Sequence, residues 1–84
     1  MRAVFVMLKV EPGHVHQVAA EIAELPSYSE AYSISGQYDL LVKLYIETLD
    51  DLDRLVTEEI HRLKYIRETF TILTFGAFTV AGGE

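Results

Sequence analysis

The sequence predicts an α+β domain in which two helices cover one face of a four-stranded antiparallel sheet. Two observations lead to this prediction. Segments of strand and helix character follow one another in the order βαββαβ, and the first and third strands are apolar at nearly every position, as central strands are. With right-handed crossovers, this order gives the strand order 4-1-3-2 of the ferredoxin-like sandwich.

Length and composition restrict the functions of the chain. It has 84 residues, no cysteine, an apolar share of 50% and a formal net charge of −6. A domain of this size buries only about 60% of the surface of its unfolded chain, so oligomerisation is the expected additional stabilisation. The acidic charge argues against direct binding to nucleic acid or to an anionic membrane. No apolar run is long enough to span a membrane, and the absence of cysteine is compatible with the cytoplasm, where we expect the protein.

The first strand is predicted from Arg2 to Val10, where Lys9 interrupts the apolar run and argues against a signal peptide. Glu11-Pro12-Gly13 breaks the strand, and a helix of about three turns follows. Pro26 ends this helix. Its apolar stripe consists of Val15, Val18, Ala19, Ile22 and Leu25.

The second strand, Tyr28 to Ser35, is more polar and is predicted at an edge of the sheet. A tight hairpin over Ser35 to Asp39 connects it to the apolar third strand, Leu40 to Ile46. Gly36 suits this turn because glycine adopts positive φ at little cost.

Thr48 and Asp51 have the spacing of a capping box and begin the second helix. Its apolar stripe consists of Leu49, Leu52, Leu55, Val56, Ile60 and Leu63. The basic residues Arg62 and Lys64 are expected near its end. The last strand is predicted from Glu68 to Val80, with a bulge or bend at Gly76. The domain thus covers residues 1–80, and residues 81–84 form a frayed tail.

Helices cover only one face of this sheet, and side chains alternate between the two faces. An apolar face of the central strands is therefore left open in a monomer. It is formed either by Val4, Val6 and Leu8 with Leu40, Val42 and Leu44, or by the complementary set. An apolar face of this kind marks a partner surface, so we expect at least a dimer with sheets packed face to face.

In this topology, the hairpin and the beginning of the last strand lie at one end of the sheet. Asp39 heads the third strand, and Thr69 and Thr71 lie near the head of the fourth, with one strand between them and a separation of roughly 10 Å. Backbone N–H groups around Gly36 suit a carboxylate, and Asp39 suits an ammonium. A small zwitterion would bridge part of this distance, and a second subunit would close the rest.

Three short stretches carry a family resemblance: Gly36-Gln37-Tyr38-Asp39, Leu25-Pro26 and Thr69-Phe70-Thr71. With the order of elements, they resemble the effector-binding (RAM) domain of the Lrp/AsnC, or feast/famine, transcriptional regulators. The resemblance covers essentially the whole chain. It implies a regulatory domain without cofactor, metal or catalytic activity, which binds an amino acid between dimers that assemble into octamers or similar rings. Carried over by position, the ligand-binding residues are Gly36, Tyr38, Asp39, Thr69 and Thr71.

The chain departs from the family pattern in two respects. Regulators of the family carry a helix-turn-helix domain before this module, whereas here the module starts at Met1. The resemblance is therefore to a stand-alone form, which binds an amino acid by itself or co-assembles with a full-length regulator, and DNA binding is not carried over. Lys64-Tyr65 also stand where the family often has Pro-Gly, which affects the loop before the last strand.

Other interpretations remain open. One interpretation is that the hairpin is a plain turn, in which Asp39 only hydrogen-bonds its own turn. Another is that the chain is a pure assembly or interaction module, whose whole function is the apolar face of the sheet. Small ferredoxin-like dimers also include cofactor-free enzymes, but these need a titratable group between helices and sheet, which the apolar stripes do not supply. The spacing of His14 and His16 does not predict a metal site. His61 is expected as a cation at the end of the second helix or as a surface residue, rather than as a base.

Overall fold

A computed structural model describes residues 1–78 and confirms the predicted fold class. The strands are β1 (Arg2–Val10), β2 (Tyr28–Ser33), β3 (Leu40–Ile46) and β4 (Ile66–Leu73). The helices are α1 (Val15–Ile22) and α2 (Leu49–Arg54), and α2 continues directly into a π-helical segment, Leu55–Ile60. The sheet has the order β2-β3-β1-β4, and all neighbouring strands are antiparallel. The most apolar strands occupy the two central places, as predicted.

The hydrophobic core lies between the sheet and the helices. Alternate residues of β1 and β3 are buried against the helices, while α1 contributes Val18 and Ile22 and the π-helical segment contributes Leu55 and Ile60. The buried strand residues are Val4, Val6, Leu8, Val10, Leu40, Val42, Leu44 and Ile46. This is the first of the two sets between which the sequence left the choice open, so the complementary set faces away from the helices.

Within residues 1–78, no helix covers the second face of the sheet, which we call the open face. Cross-strand partners share a face. The registers place on the open face the apolar or aromatic residues Phe5, Met7, Leu41, Tyr45, Tyr32, Phe70 and Ile72 and the charged residues Lys9, Glu30, Lys43 and Glu68. Phe70 is 50% exposed and Tyr32 is 54% exposed. An uncovered apolar face is thus present, as the fold predicted.

The connection between β2 and β3 is longer than the tight hairpin predicted from the sequence, because β2 ends at Ser33 rather than Ser35. Two hydrogen bonds draw Asp39 toward β1: its N–H donates to the Leu8 carbonyl oxygen and its carboxylate accepts from Val10 N–H, both at 2.8 Å. The Ile34 N–H donates to the Asp39 carbonyl oxygen at 3.0 Å and closes the loop. Because Asp39 is bonded to β1, the connection between β2 and β3 is a wider loop instead of a tight turn.

Helix α1 is also shorter than predicted and ends at Ile22, before Pro26. The capping box of α2 is confirmed: Thr48 N–H donates to an Asp51 carboxylate oxygen at 3.1 Å, and Asp51 N–H donates to the Thr48 hydroxyl at 3.2 Å. Leu49 does not join the apolar stripe and is 56% exposed.

The second helix changes character after Arg54. The Leu55 N–H still donates four residues back, to Asp51, but the π-helical segment follows and the His61 N–H donates five residues back, to Val56. The wider turn allows Leu55 and Ile60 to be buried together although they are five residues apart. Arg62 and Lys64 follow the helix instead of lying in its last turn.

Strand β4 begins earlier and ends earlier than predicted. It begins at Ile66, which pairs with Val10 across a register shift opposite Lys9. It ends at Leu73, because the next residue, Thr74, donates its hydroxyl proton to the Ala3 carbonyl oxygen at 2.7 Å. The predicted bulge at Gly76 is wrong, since this residue lies beyond the strand. The rest of the predicted strand, residues 79–80, and the predicted tail, residues 81–84, lie outside the described residues.

Candidate functional site

The loop before β3 and the head of β4 meet at one end of the sheet. Leu8 of β1 pairs with Leu40 on one side and with Thr69 on the other. Two strand spacings therefore separate the heads of β3 and β4, which is roughly 10 Å. The two segments that carry the predicted ligand-binding residues are thus brought together as the topology required.

Asp39 is held in place by β1. Its Oδ2 accepts from Val10 N–H at 2.8 Å, a partly buried bond between residues far apart in sequence. The alternative interpretation, in which this side chain only hydrogen-bonds its own turn, is therefore wrong. The bond uses one of the two carboxylate oxygens, and the side chain fixes the end of β1 relative to the loop.

Gly36 has φ +116, which side-chain-bearing residues rarely adopt. Among the described residues, no heavy atom beyond Gly36 and its two chain neighbours lies within 4 Å of where its Cβ would be, so the backbone conformation and not crowding favours glycine here. The neighbouring Gln37 accepts a hydrogen bond from Lys9 Nζ at its carbonyl oxygen, at 3.1 Å.

Tyr38 lies on the open-face side of this end, where its ring centroid is 6.1 Å from that of Phe70. Beside it is a shallow groove of about 290 Å³, lined by Lys9, Gln37, Tyr38 and Glu68. An ammonium, a carboxylate and a phenol around a small groove suit a small zwitterion. The sequence did not single out Lys9 and Glu68 as site residues, although a lysine in an otherwise apolar strand was a possible signal.

Thr69 and Thr71 lie on the other face. They pair with Leu8 and Val6, which face the helices, and both threonines are half-buried. The Thr69 Oγ1 lies 3.0 Å from Nε2 of His61, the residue that follows the π-helical segment. The predicted ligand-binding residues thus share one end of the sheet but are divided between its two faces.

The loop before β4 keeps a glycine-like backbone although it contains Tyr65. This residue has φ +76, and its carbonyl oxygen accepts from Glu11 N–H at 2.8 Å. Its ring stacks on His14 at a centroid distance of 3.6 Å and an interplanar angle of 7°. His14 is therefore occupied by an aromatic contact at the edge of the candidate site.

The pKa values of two side chains on the open face, Lys43 and Tyr32, are raised by their neighbours. The Tyr45 side chain raises the pKa of the Lys43 ammonium, whose Nζ lies 5.3 Å from the Tyr45 ring centroid. The Glu30 carboxylate raises the pKa of the Tyr32 phenol. At neutral pH, the Lys43 ammonium is therefore charged and the Tyr32 phenol is neutral, so the open face carries a positive charge at Lys43.

The family model of the Lrp/AsnC ligand binding domain matches residues 3–79. The chain belongs to the Lrp/AsnC family. This confirms the resemblance found in the sequence, and the match spans the loop before β3 and the head of β4.

Solved structures of similar chains agree with this assignment. The protein TTHA0845 of Thermus thermophilus is 34% identical with a TM-score of 0.90, and the match covers 95% of this chain and 100% of that one. The protein FFRP-DM1 is 33% identical with a TM-score of 0.85, and the match covers 89% of this chain and 100% of that one. AsnC of E. coli, at 19% identity and a TM-score of 0.87, shares the fold.

Curated relatives of this Lrp/AsnC domain are transcriptional regulators. An uncharacterised HTH-type transcriptional regulator of Pyrococcus abyssi is 32% identical over 71 residues, which are 83% of this chain and 45% of that protein. The chain spans about half the length of the curated relatives it matches. The names of these relatives, HTH-type transcriptional regulators, agree with the prediction of a regulatory domain. Within residues 1–78, no helix is both long and apolar enough to cross a membrane.

Proposed function

We propose that this Lrp/AsnC domain binds a free amino acid at contacts between its copies, and that binding shifts the assembly of the domain or of a full-length Lrp/AsnC regulator that co-assembles with it. The observation that carries the proposal is the division of the site. Tyr38 lies on the open-face side, while Thr69 and Thr71 lie on the helix side of the same end. Because the sheet separates them, one small ligand contacts both groups only where a second copy supplies one of them.

The polar groups at this end match an amino acid. Backbone N–H groups near Gly36 and the hydroxyl of Thr69 suit a carboxylate, and the carboxylates of Asp39 and Glu68 suit an ammonium. The open face supplies a further contact surface, so that copies pair through their sheets and the pairs join at their ends into larger rings. This arrangement places the ligand at the contact between pairs.

The proposed regulation follows from linkage. An amino acid that binds the contact between copies favours the assembly state in which the contact exists, but only by its difference in affinity between states. A tenfold difference corresponds to about 1.4 kcal/mol per site. Several sites in one ring add their effects, which makes a modest preference sufficient to change the assembly.

A screen of amino acids that includes L-methionine would identify the ligand. A transcriptional regulator of Neisseria meningitidis that shares this fold, with a TM-score of 0.85 at 9% identity, has been solved as an L-Met complex. At this identity the likeness concerns the fold, so methionine enters the screen as one amino acid among all.

A thermal-shift screen against the amino acids, with light scattering in parallel, tests the proposal. A ligand at about 100 times its Kd adds about 2.7 kcal/mol per site, which raises the Tm of a small domain by several degrees. The informative variant is Asp39→Asn, which keeps an oxygen for Val10 N–H and removes the charge. The matched control is Asp53→Asn, at an exposed position of α2. We expect the control to keep the shift and Asp39→Asn to reduce it.

A second candidate function is a pure assembly module. The bond from Val10 N–H already accounts for the position of Asp39 in the absence of any ligand. Under this alternative, no amino acid changes the Tm of the wild-type protein, and the mass measured by light scattering is the same with and without amino acids. This result would contradict the proposed function.

A further inference from the structure

We propose that His61 is a positioning residue of the effector site, where it holds the Thr69 hydroxyl as a hydrogen-bond donor toward the carboxylate of the bound amino acid. This inference rests on the proposed function and adds a residue to it. From the sequence, this residue was expected as a helix-end cation or a surface residue, and it lies outside the stretches that carry the family resemblance.

The first argument is the contact itself. His61 Nε2 lies 3.0 Å from Thr69 Oγ1, at the head of β4. His61 is exposed and Thr69 is half-buried, so a ligand can reach the pair from solvent. A hydrogen bond between accessible side chains contributes little to folding, because water replaces either partner. Stability alone therefore does not explain the pairing.

The second argument is the helix that delivers His61. Its N–H donates to the Val56 carbonyl oxygen, five residues back, at 3.0 Å. If the same sequence continued as an α-helix, each residue after the π turn would be rotated by about 100° and shifted by about 1.5 Å. His61 would then point away from its present direction. Single π turns are rare and occur frequently at functional sites, so the extra residue is consistent with a positioning role.

The third argument concerns the hydroxyl proton. Thr69 has one proton and His61 Nε2 has either a proton or a lone pair, depending on the tautomer. If Nε2 carries the proton, it donates to Thr69 and the hydroxyl proton is free to point at the ligand. At the contact between copies, Asp39 and the Glu68 carboxylate of the second copy supply acceptors for the ammonium of the ligand. The complementary group for the Thr69 proton is therefore the carboxylate of the ligand.

Calorimetric titration with two ligands tests the proposal: the amino acid with the largest thermal shift, and its carboxamide, which lacks the carboxylate. The variants are His61→Phe, which removes the hydrogen bond, and His61→Gln, which restores an N–H near the same place. His16→Phe, at an exposed position of α1, is the control.

We expect His61→Phe to weaken binding of the amino acid about tenfold, because the Thr69 hydroxyl is no longer held as a donor toward the charged carboxylate. We expect binding of the carboxamide to change by less than about twofold, because this ligand has no carboxylate for the Thr69 hydroxyl to bind. His61→Gln should recover most of the affinity, and His16→Phe should change neither titration. Equal weakening of both ligands by His61→Phe, or no weakening, would overturn this inference while leaving the proposed function intact. Wild-type protein that binds no amino acid would overturn both.

Discussion

At the scale of single residues, one side chain at the loop before β3 has a structural role that is separable from its charge. Asp39 accepts from the N–H of Val10, a residue that is only 4% exposed. Replacing Asp39 by alanine leaves this donor without a partner, and hydrogen bonds to charged groups contribute about 1.5–3 kcal/mol. We expect Asp39→Ala to lower the free energy of unfolding by about 2 kcal/mol and Asp39→Asn by less than half of that, as measured by urea denaturation. Equal stability of the two variants would contradict this role.

Tyr65 provides a second prediction at this scale. Its φ of +76 is costly for any residue with a Cβ, by about 1 kcal/mol or more relative to glycine. Tyr65→Gly and Tyr65→Ala both remove the ring and its stacking on His14, and they differ only in the Cβ. We therefore expect the glycine variant to be more stable than the alanine variant by about 1 kcal/mol in urea denaturation. The opposite order would mean that the loop relaxes out of its left-handed conformation.

Sequence reasoning at the residue scale succeeded where the signal is local. The Thr48 and Asp51 capping box was predicted from a spacing of three residues and is present. The bond between Asp39 and Val10 and the contact between His61 and Thr69 join residues from different elements, so their partners depend on how those elements pack. Neither contact was predicted from the sequence. The roles of Gly36, Tyr38, Asp39, Thr69 and Thr71 as ligand contacts stay predictions.

At the scale of elements, the π-helical segment is the feature that sequence periodicity missed. Leu52, Val56, Ile60 and Leu63 recur at intervals of three or four residues, so an uninterrupted α-helix accounts for the pattern. The packing instead buries Leu55 and Ile60, five residues apart, which an α-helix places on different faces. Burial of both side chains therefore selects the π turn.

Deleting one exposed residue of the π turn tests this account. Without Glu58, the two buried residues of the segment are four apart, the spacing of one α-helical face. We expect the shortened chain to be at least as stable as wild type in urea denaturation, because a regular helix then buries the same side chains. Deleting the exposed Ala20 from α1 is the control, since this position lies between the buried residues Val18 and Ile22. The deletion turns Ile22 by about 100° relative to Val18 and should cost about 3 kcal/mol or more. A shortened chain that is destabilised as much as the control would contradict the account.

At the scale of the whole molecule, the open face is the surface through which we expect copies to pair. Phe70 on this face is 50% exposed, and Leu49 at the start of α2 is 56% exposed. Both are large apolar side chains in solvent, but only Phe70 belongs to a continuous apolar surface. We expect Phe70→Asp to reduce the mass measured by light scattering, and Leu49→Asp to leave it unchanged, because only the former places a charge in the pairing surface. Retention of the wild-type mass by Phe70→Asp would show that pairing uses another surface.

The topology was predictable from the sequence because few arrangements satisfy its constraints. The order of elements and the handedness of crossovers left one sheet order, and the apolar character of β1 and β3 agreed with their central places. The choice of buried face was left open, although the two alternate sets differ in composition. The buried set is entirely aliphatic, whereas the complementary set contains Lys9 and Lys43. These two lysines were a signal for the face that points away from the helices.

The central position of β1 also affects how the chain is made. Its two neighbours in the sheet are synthesised much later: Arg2 pairs with Ile46, and Val4 pairs with Leu73. On the ribosome, β1 therefore has no partner until β3 has emerged, a little more than half-way along the chain, and its second edge stays open until β4 follows. Pairing of residues so far apart in sequence slows folding and leaves an apolar strand unprotected during translation. Nascent chains paused before β3 is complete are therefore the species most at risk of aggregation.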